Sequence, residues 1–148
     1  MRLAMHHMIS PVNKSTSRIS IVLVSSTSGY FGSTGMSAYI SSKHGIIGLL
    51  RGSQPAAEKY GISITGVAPF FTPTNITSRV SARWQADGVQ GNTPEAVGMA
   101  IAQSSTDEVS SGSCVLVHML CDCRGSPMLP CFYLGWSWLT VQGRGAYP

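Results

Sequence analysis

The sequence has few charged residues and no long apolar run, and each absence excludes a class of protein. Of its 148 residues, 11% are charged and 43% are hydrophobic. The apolar runs, such as residues 21–24, are far shorter than the roughly 18 residues that a membrane helix needs. His6, His7 and Asn13 also interrupt the apolar core that a secretory signal would require. We therefore expect no membrane partner and a cytoplasmic protein.

The basic residues are scattered along the chain. Ten Lys and Arg stand against six Asp and Glu, which gives a formal net charge of +4. The basic residues form no stripe and do not alternate with aromatic residues, as they do in many nucleic-acid-binding proteins. We expect a mildly basic soluble protein that binds a small molecule and no nucleic acid.

The four cysteines do not have the spacing of a metal site. A single residue separates Cys121 from Cys123, whereas paired zinc ligands are usually two to four residues apart. Adding Cys114, Cys131 or His118 gives no familiar zinc pattern. We expect reduced thiols and no metal.

The spacing of apolar residues predicts alternating strands and helices. The predicted strands lie at residues 19–24, 62–68 and 112–117, and the predicted helices at residues 1–9, 38–50 and 93–104. This alternation implies a parallel sheet with helices on its faces, an α/β fold. Residues 69–92 are interpreted as a long polar segment.

Local signals predict where some helices begin and end. Thr93 is predicted to cap the N-terminus of the helix that follows it. Gly61 is predicted to end the helix that precedes Gly61. Pro55 is expected to break or kink that same helix. Gly45 and Gly48 weaken the helix, and we expect another backbone to pack close to them.

Three polar residues, Ser26, Tyr39 and Lys43, are candidates for chemistry. Tyr39 and Lys43 are four residues apart in a predicted helix and therefore share a face. Ser26 follows a predicted buried strand, and open α/β sheets bind ligands outside the carboxyl ends of their strands. A cation beside a phenol favours the phenolate, which suits tyrosine to proton transfer at an alcohol. Hydride transfer would then need a nicotinamide cofactor, although a Tyr-x-x-x-Lys pair alone is usually a solvated helix face.

In this context the sequence resembles the second half of a short-chain dehydrogenase/reductase. The segments that carry the resemblance are residues 21–26, Gly29, Gly35, residues 39–43, residues 48–49 and residues 61–69. The resemblance covers roughly residues 1–117, and residues 118–148 are interpreted as a divergent tail. Residues 68–74 resemble fungal-type members of the family, which hints at a role in secondary metabolism.

The resemblance implies a role for each candidate. Tyr39 matches the catalytic acid and base, Lys43 the residue that assists it and binds the nicotinamide ribose, and Ser26 the residue that orients the substrate oxygen. Three further residues match the segment that contacts the nicotinamide: Pro69, Thr72 and Thr74. Residues 75–92 match a mobile substrate lid whose pocket-lining candidates are Ile76, Val80 and Trp84. Ordinary packing is an equally weighted interpretation for Trp84.

The family's Gly-rich phosphate-binding turn has no counterpart in the sequence. We therefore expect a partial Rossmann-like, doubly wound parallel sheet that lacks the N-terminal cofactor-binding half. The cofactor is NAD or NADP, with the choice open, and Phe70 stands where the family usually has glycine. The alternative function is a truncated, catalytically inactive remnant that acts at most as an interaction module.

The family also implies a possible homo-oligomer through the helix that bears Tyr39. The candidate interface residues are Ile46, Ile47, Leu49 and Leu50. The same four residues could instead pack on the sheet, and the sequence leaves both interpretations open.

Overall fold

The chain forms a three-stranded parallel sheet with helices on both faces, which confirms the predicted α/β fold. The computed structural model describes residues 1–9, 19–88, 90–107 and 111–117. The elements in chain order are α1 (Arg2–Ile9), β1 (Ile19–Val24), α2 (Ser37–Lys59), β2 (Ile62–Pro69), α3 (Ser78–Ala86), α4 (Pro94–Thr106) and β3 (Cys114–Val117). The strand order is β1-β2-β3, so β2 lies in the middle.

The central strand β2 divides the core into two clusters. Alternate residues of a strand point to opposite faces of the sheet. On one face, Ile62 and Ile64 pack with Leu50 of α2 and Met5 of α1. On the other face, the buried residues are Val67, Ala100 and Val117. β2 is buried from both sides, and its carboxyl end is held firmly between its neighbours.

Helix α2 continues through Pro55, so the predicted break at this residue is wrong. Proline removes the hydrogen bond to the carbonyl four residues earlier, which here belongs to Arg51. Both residues are exposed, so water can solvate that carbonyl. The expected close backbone near Gly45 and Gly48 is also absent, since no described atom lies within 4 Å of a Cβ built on either residue.

The structure confirms two of the other helix signals, those of Gly61 and Thr93. Gly61, the second residue after α2, has a φ of +67°, as a helix-ending glycine does. Thr93 caps α4, and its side chain accepts a hydrogen bond from Ala96 N at 3.2 Å. The long polar segment, residues 69–92, contains a helix that the sequence analysis did not predict, α3.

The four interface candidates on α2 do not behave alike. Ile47 and Leu50 are buried, whereas Leu49 is exposed and Ile46 is half-buried. Two of the four therefore pack against the rest of the chain, and the outer face of α2 carries only Leu49 among them as a well-exposed apolar residue.

Several predictions fall on residues 118–148, which lie outside the described residues. These include the divergent tail itself, His118 and three of the four cysteines. The described cysteine, Cys114, is a free thiol, and burial raises its pKa. None of the helices in the described ranges is long and apolar enough to cross a membrane.

Candidate active site

Tyr39 and Lys43 lie on one face of α2, close to its N-terminus. The Lys43 ammonium nitrogen is 5.6 Å from the centroid of the Tyr39 ring. The ammonium donates a hydrogen bond to the carbonyl oxygen of Val24 at 3.3 Å, which ties α2 to the last residue of β1. This bond uses one of the three ammonium N–H groups. Tyr39 is 42% exposed, so a ligand can reach its ring from solvent.

Ser26 lies just beyond β1, where it caps a 3-10 turn at Thr27–Gly29. Its hydroxyl oxygen accepts a hydrogen bond from Ser28 N at 3.2 Å. The hydroxyl donates to the carbonyl oxygen of Pro69, the last residue of β2, over 3.4 Å. A bond of that length is weak, so the proton is available to a better acceptor. The bond also shows that the carboxyl ends of β1 and β2 meet at Ser26.

The structure therefore brings Ser26 and Lys43 to the same carboxyl end of the sheet, at the ends of β2 and β1. Lys43 reaches this edge through Val24, and Ser26 reaches it through Pro69. The carboxyl edge of parallel strands is where open α/β sheets bind ligands. Within the described residues no direct hydrogen bond joins Ser26 to Tyr39, so a ligand oxygen would be needed to connect the two hydroxyls.

Ser25, which the sequence analysis did not single out, fixes the position of Lys43. Its buried hydroxyl donates to the carbonyl oxygen of Lys43 at 3.0 Å, and its amide donates to Val67 O at 2.8 Å. A Cβ built on Gly29 would lie 2.5 Å from Ser25 Oγ and 2.9 Å from Lys43 O. Gly29 thus lets the loop after β1 lie directly against α2. Two consecutive serines after a buried strand were the available signal.

We expect Gly29→Ala to destabilise the protein by about 1–3 kcal/mol, because the added methyl group overpacks the contact with Lys43. Gly32 lies in the same loop and has no described atom within 4 Å of a built Cβ, so Gly32→Ala is the matched control. Urea unfolding measures both variants. Equal stabilities for the two would contradict the close approach at Gly29.

The segment after β2 forms a network of threonines. Thr72 Oγ1 donates to Phe70 O at 3.1 Å. Thr77 Oγ1 donates to Thr72 O at 2.9 Å and accepts from Thr74 N at 2.8 Å. The two threonines predicted to contact a cofactor are therefore held by Thr77, which the sequence analysis missed. A hydroxyl residue before a helix was its signal, but α3 itself was not predicted.

The three predicted lid residues are placed differently. Ile76 is 95% exposed, and Val80 lies within α3. The Trp84 ring lies 4.8 Å from the Phe71 ring and 5.7 Å from the Phe70 ring, centroid to centroid. Trp84 therefore packs on the two residues that follow Pro69, and the structure does not bring Ile76 into this cluster.

Open α/β sheets bind ligands outside the carboxyl ends of their strands, and hydroxyl and ammonium groups lie at that end of this parallel sheet. The family model of the short chain dehydrogenases matches residues 1–85, which is more than half of the chain. The chain belongs to this family.

A relative with high sequence identity supports the family assignment. Short-chain dehydrogenase reductase 3a of Arabidopsis thaliana is 43% identical over 68 residues, which are 46% of this chain and 26% of the relative. The alignment thus spans about a quarter of that relative's length.

Solved structures share the fold. The 3-oxoacyl-[acyl-carrier protein] reductase from Brucella melitensis in complex with NAD has a TM-score of 0.69 and 22% identity. ElxO with NADP bound has a TM-score of 0.64 and 25% identity. Each likeness covers 78% of this chain and 49% of the other chain, so this chain spans about half the length of those structures.

Proposed function

We propose that the protein interconverts an alcohol and a ketone or aldehyde with a nicotinamide cofactor. The observation that carries the proposal is the placement of Ser26, Tyr39 and Lys43 at the carboxyl edge of a sheet in a chain of this family. The solved structures with the same fold contain NAD in one case and NADP in another, which supports a nicotinamide cofactor and leaves the choice open.

Each of the three residues has a distinct role in the proposal. The Tyr39 hydroxyl gives its proton to the carbonyl oxygen during reduction and takes it back during oxidation. The Ser26 hydroxyl turns from Pro69 O to donate a hydrogen bond to the same oxygen. The Lys43 ammonium stabilises negative charge on the Tyr39 oxygen. The nicotinamide, when bound, supplies or accepts the hydride.

The donors at this edge fit the nicotinamide end of the cofactor. Lys43 and Tyr39 would hold the ribose hydroxyls, since an ammonium and a phenol hydroxyl both donate hydrogen bonds. Pro69, Thr72 and Thr74 would contact the nicotinamide. The Thr74 hydroxyl is 3.4 Å from Thr77 Oγ1, a longer contact than those made by Thr72 Oγ1 and Thr74 N, which favours this hydroxyl as the contact.

The pyrophosphate end has no comparable site in the described residues. The loop after β1 contains glycines, but Gly29 packs against the backbone of Lys43 and so serves the contact with α2. We propose that residues 1–117 correspond to the C-terminal half of a dehydrogenase domain. The described part would hold the cofactor through its nicotinamide end alone.

Several finer proposals go with this function. The substrate is a small molecule, and Ile76, Val80 and Trp84 would line its pocket when the lid closes. We also propose a cytoplasmic location and a homo-oligomer formed through α2. The fungal-type resemblance and a role in secondary metabolism stay predictions, since the relative described above comes from a plant.

Calorimetric titration with NADH and NADPH tests the proposal. We expect saturable binding of at least one cofactor, and an affinity about tenfold lower in Lys43→Met because a charge-assisted hydrogen bond is lost. Lys59→Met is the matched control, since Lys59 lies 5.9 Å from the Tyr60 ring at the other end of α2. Its affinity should change less than about twofold.

The same titration distinguishes the proposed function from the alternative function. Absence of saturable binding by either cofactor would contradict the proposed oxidoreductase. That result would favour a catalytically inactive chain, an interpretation that rests on the half-length match to the solved structures.

A further inference from the structure

The segment between β2 and α4 leaves and returns to the sheet at a single carbonyl group. Phe70, the first residue after β2, donates its amide to Val117 O at 2.9 Å. Asn92, just before the cap of α4, donates its side-chain Nδ2 to the same oxygen at 2.8 Å. Val117 is the last residue of β3. Both ends of the segment are therefore attached to the carboxyl end of β3.

The two ends also contact each other directly. The backbone amide of Asn92 donates to Phe71 O at 2.7 Å. A Cβ built on Gly91 would lie 2.8 Å from Pro73 Cδ and 3.0 Å from Phe71 O, so only glycine permits this approach. Asn92 is 3% exposed, which removes it from direct contact with solvent. The returning chain thus fixes residues 70–73 from one side.

We propose that Asn92 is a positioning residue that sets the location of the nicotinamide-contacting segment, residues 69–74. This proposal deepens the proposed function and rests on it for the role of that segment. Asn92 acts through Phe71 and Val117, and Pro69 lies two residues before Phe71. Because Pro69 O is the acceptor for Ser26, Asn92 also influences the hydroxyl that would orient the substrate oxygen.

The chemistry of the contact requires an amide at this position. The Val117 oxygen accepts one hydrogen bond from the Phe70 backbone amide, and Nδ2 of Asn92 donates a second to its other lone pair. Aspartate has nearly the same shape, but it would place a negatively charged oxygen against the carbonyl oxygen. Asn92→Asp therefore removes the side-chain bond to Val117 O and keeps the packing volume. Asn75→Asp is the matched control, because Asn75 also lies between β2 and α4 but is exposed.

Hydrogen exchange of the backbone amides tests the attachment without any cofactor. In Asn92→Asp we expect the backbone amides of Phe70 and of residue 92 to exchange about ten to a hundred times faster. The loss of the side-chain bond weakens the attachment of the segment in which both amides are hydrogen-bonded. The Gly66 amide, which donates to Ser113 O at 2.9 Å within the sheet, should keep its wild-type rate. Asn75→Asp should resemble wild type throughout.

Two results would overturn the proposal: unchanged exchange at Phe70 and Asn92, or equal acceleration at Gly66, which would make Asn92 a general stabilising residue. If Asn92→Asp does not fold, Asn92→Ala removes the same donor without adding a charge and is measured in the same way.

Turnover then tests positioning. We expect kcat to fall about tenfold, with the KM for the carbonyl substrate changed less than about twofold, because misplacement affects orientation more than binding. A twofold or smaller loss of kcat would contradict the proposed positioning role of Asn92. If wild type binds no nicotinamide cofactor, the proposed function is wrong, and the exchange rates still decide whether Asn92 fixes residues 69–74.

Discussion

Replacing Tyr39 by phenylalanine is expected to reduce turnover about 10²- to 10⁴-fold, the contribution typical of a general acid or base. Phenylalanine keeps the ring that faces the Lys43 ammonium at 5.6 Å but lacks the hydroxyl that would transfer the proton. The fold should not change, because the Tyr39 side chain is 42% exposed and none of the described core clusters includes it. Steady-state assays with NADH or NADPH and a panel of ketones measure the loss.

Tyr60 supplies a control within the same helix region. It directly follows α2, is 48% exposed and has the Lys59 ammonium 5.9 Å from its ring centroid. It differs from Tyr39 in its location, since it precedes β2 and lies at the opposite end of α2. Tyr60→Phe should therefore keep at least half of the wild-type turnover. Comparable losses in both variants, or an active Tyr39→Phe protein, would remove Tyr39 from its proposed role.

The sequence was sufficient for the strands and for the Tyr39–Lys43 pair because both depend on short-range spacing. β1 and β2 are short runs rich in β-branched residues, which favour strands, and their predicted bounds match within one residue. A separation of four residues places two side chains on one helix face whatever surrounds the helix. Ser26 was predicted to lie at the carboxyl end of the sheet in the same way, because it is the second residue after a recognisable strand.

The residues that fix the site escaped prediction because they act on distant backbone groups. The Ser25 hydroxyl donates a hydrogen bond to the backbone carbonyl of Lys43, and the side-chain amide of Asn92 donates one to the backbone carbonyl of Val117. Neither partner can be inferred from spacing, since every residue has a carbonyl and only the fold selects one. The helix α3 was missed for a related reason: Val80 and Trp84 are its only large apolar residues, which is too few for a clear period.

Pro55 shows the limit of a strong local rule. Proline inside a helix costs a hydrogen bond and a steric clash, and the rule assumes that nothing compensates. Here Leu50 and Ala57 are buried on either side of Pro55 and anchor α2 against the sheet. The packing of these residues outweighs the lost bond, so the helix continues to Lys59.

The same core predicts a large loss of stability in Ile64→Ala. Ile64 is 0% exposed, lies on the central strand and belongs to the cluster that joins α1 and α2 to the sheet. Removing its outer atoms leaves a cavity between elements that are fixed by β-sheet hydrogen bonds and cannot collapse freely. We expect the free energy of unfolding to fall by about 2–5 kcal/mol. That is a large share of the roughly 5–15 kcal/mol typical of natural domains.

Ile76→Ala is the matched control, because the same atoms are removed from a side chain that is 95% exposed. Its unfolding free energy should change by less than about 0.5 kcal/mol. Urea unfolding followed by circular dichroism compares both variants with wild type, and equal slopes are needed for a direct comparison. A loss below about 1 kcal/mol in Ile64→Ala would mean that α1 and α2 do not pack on β2 as described. The carboxyl edge that carries Ser26 would then lack its support.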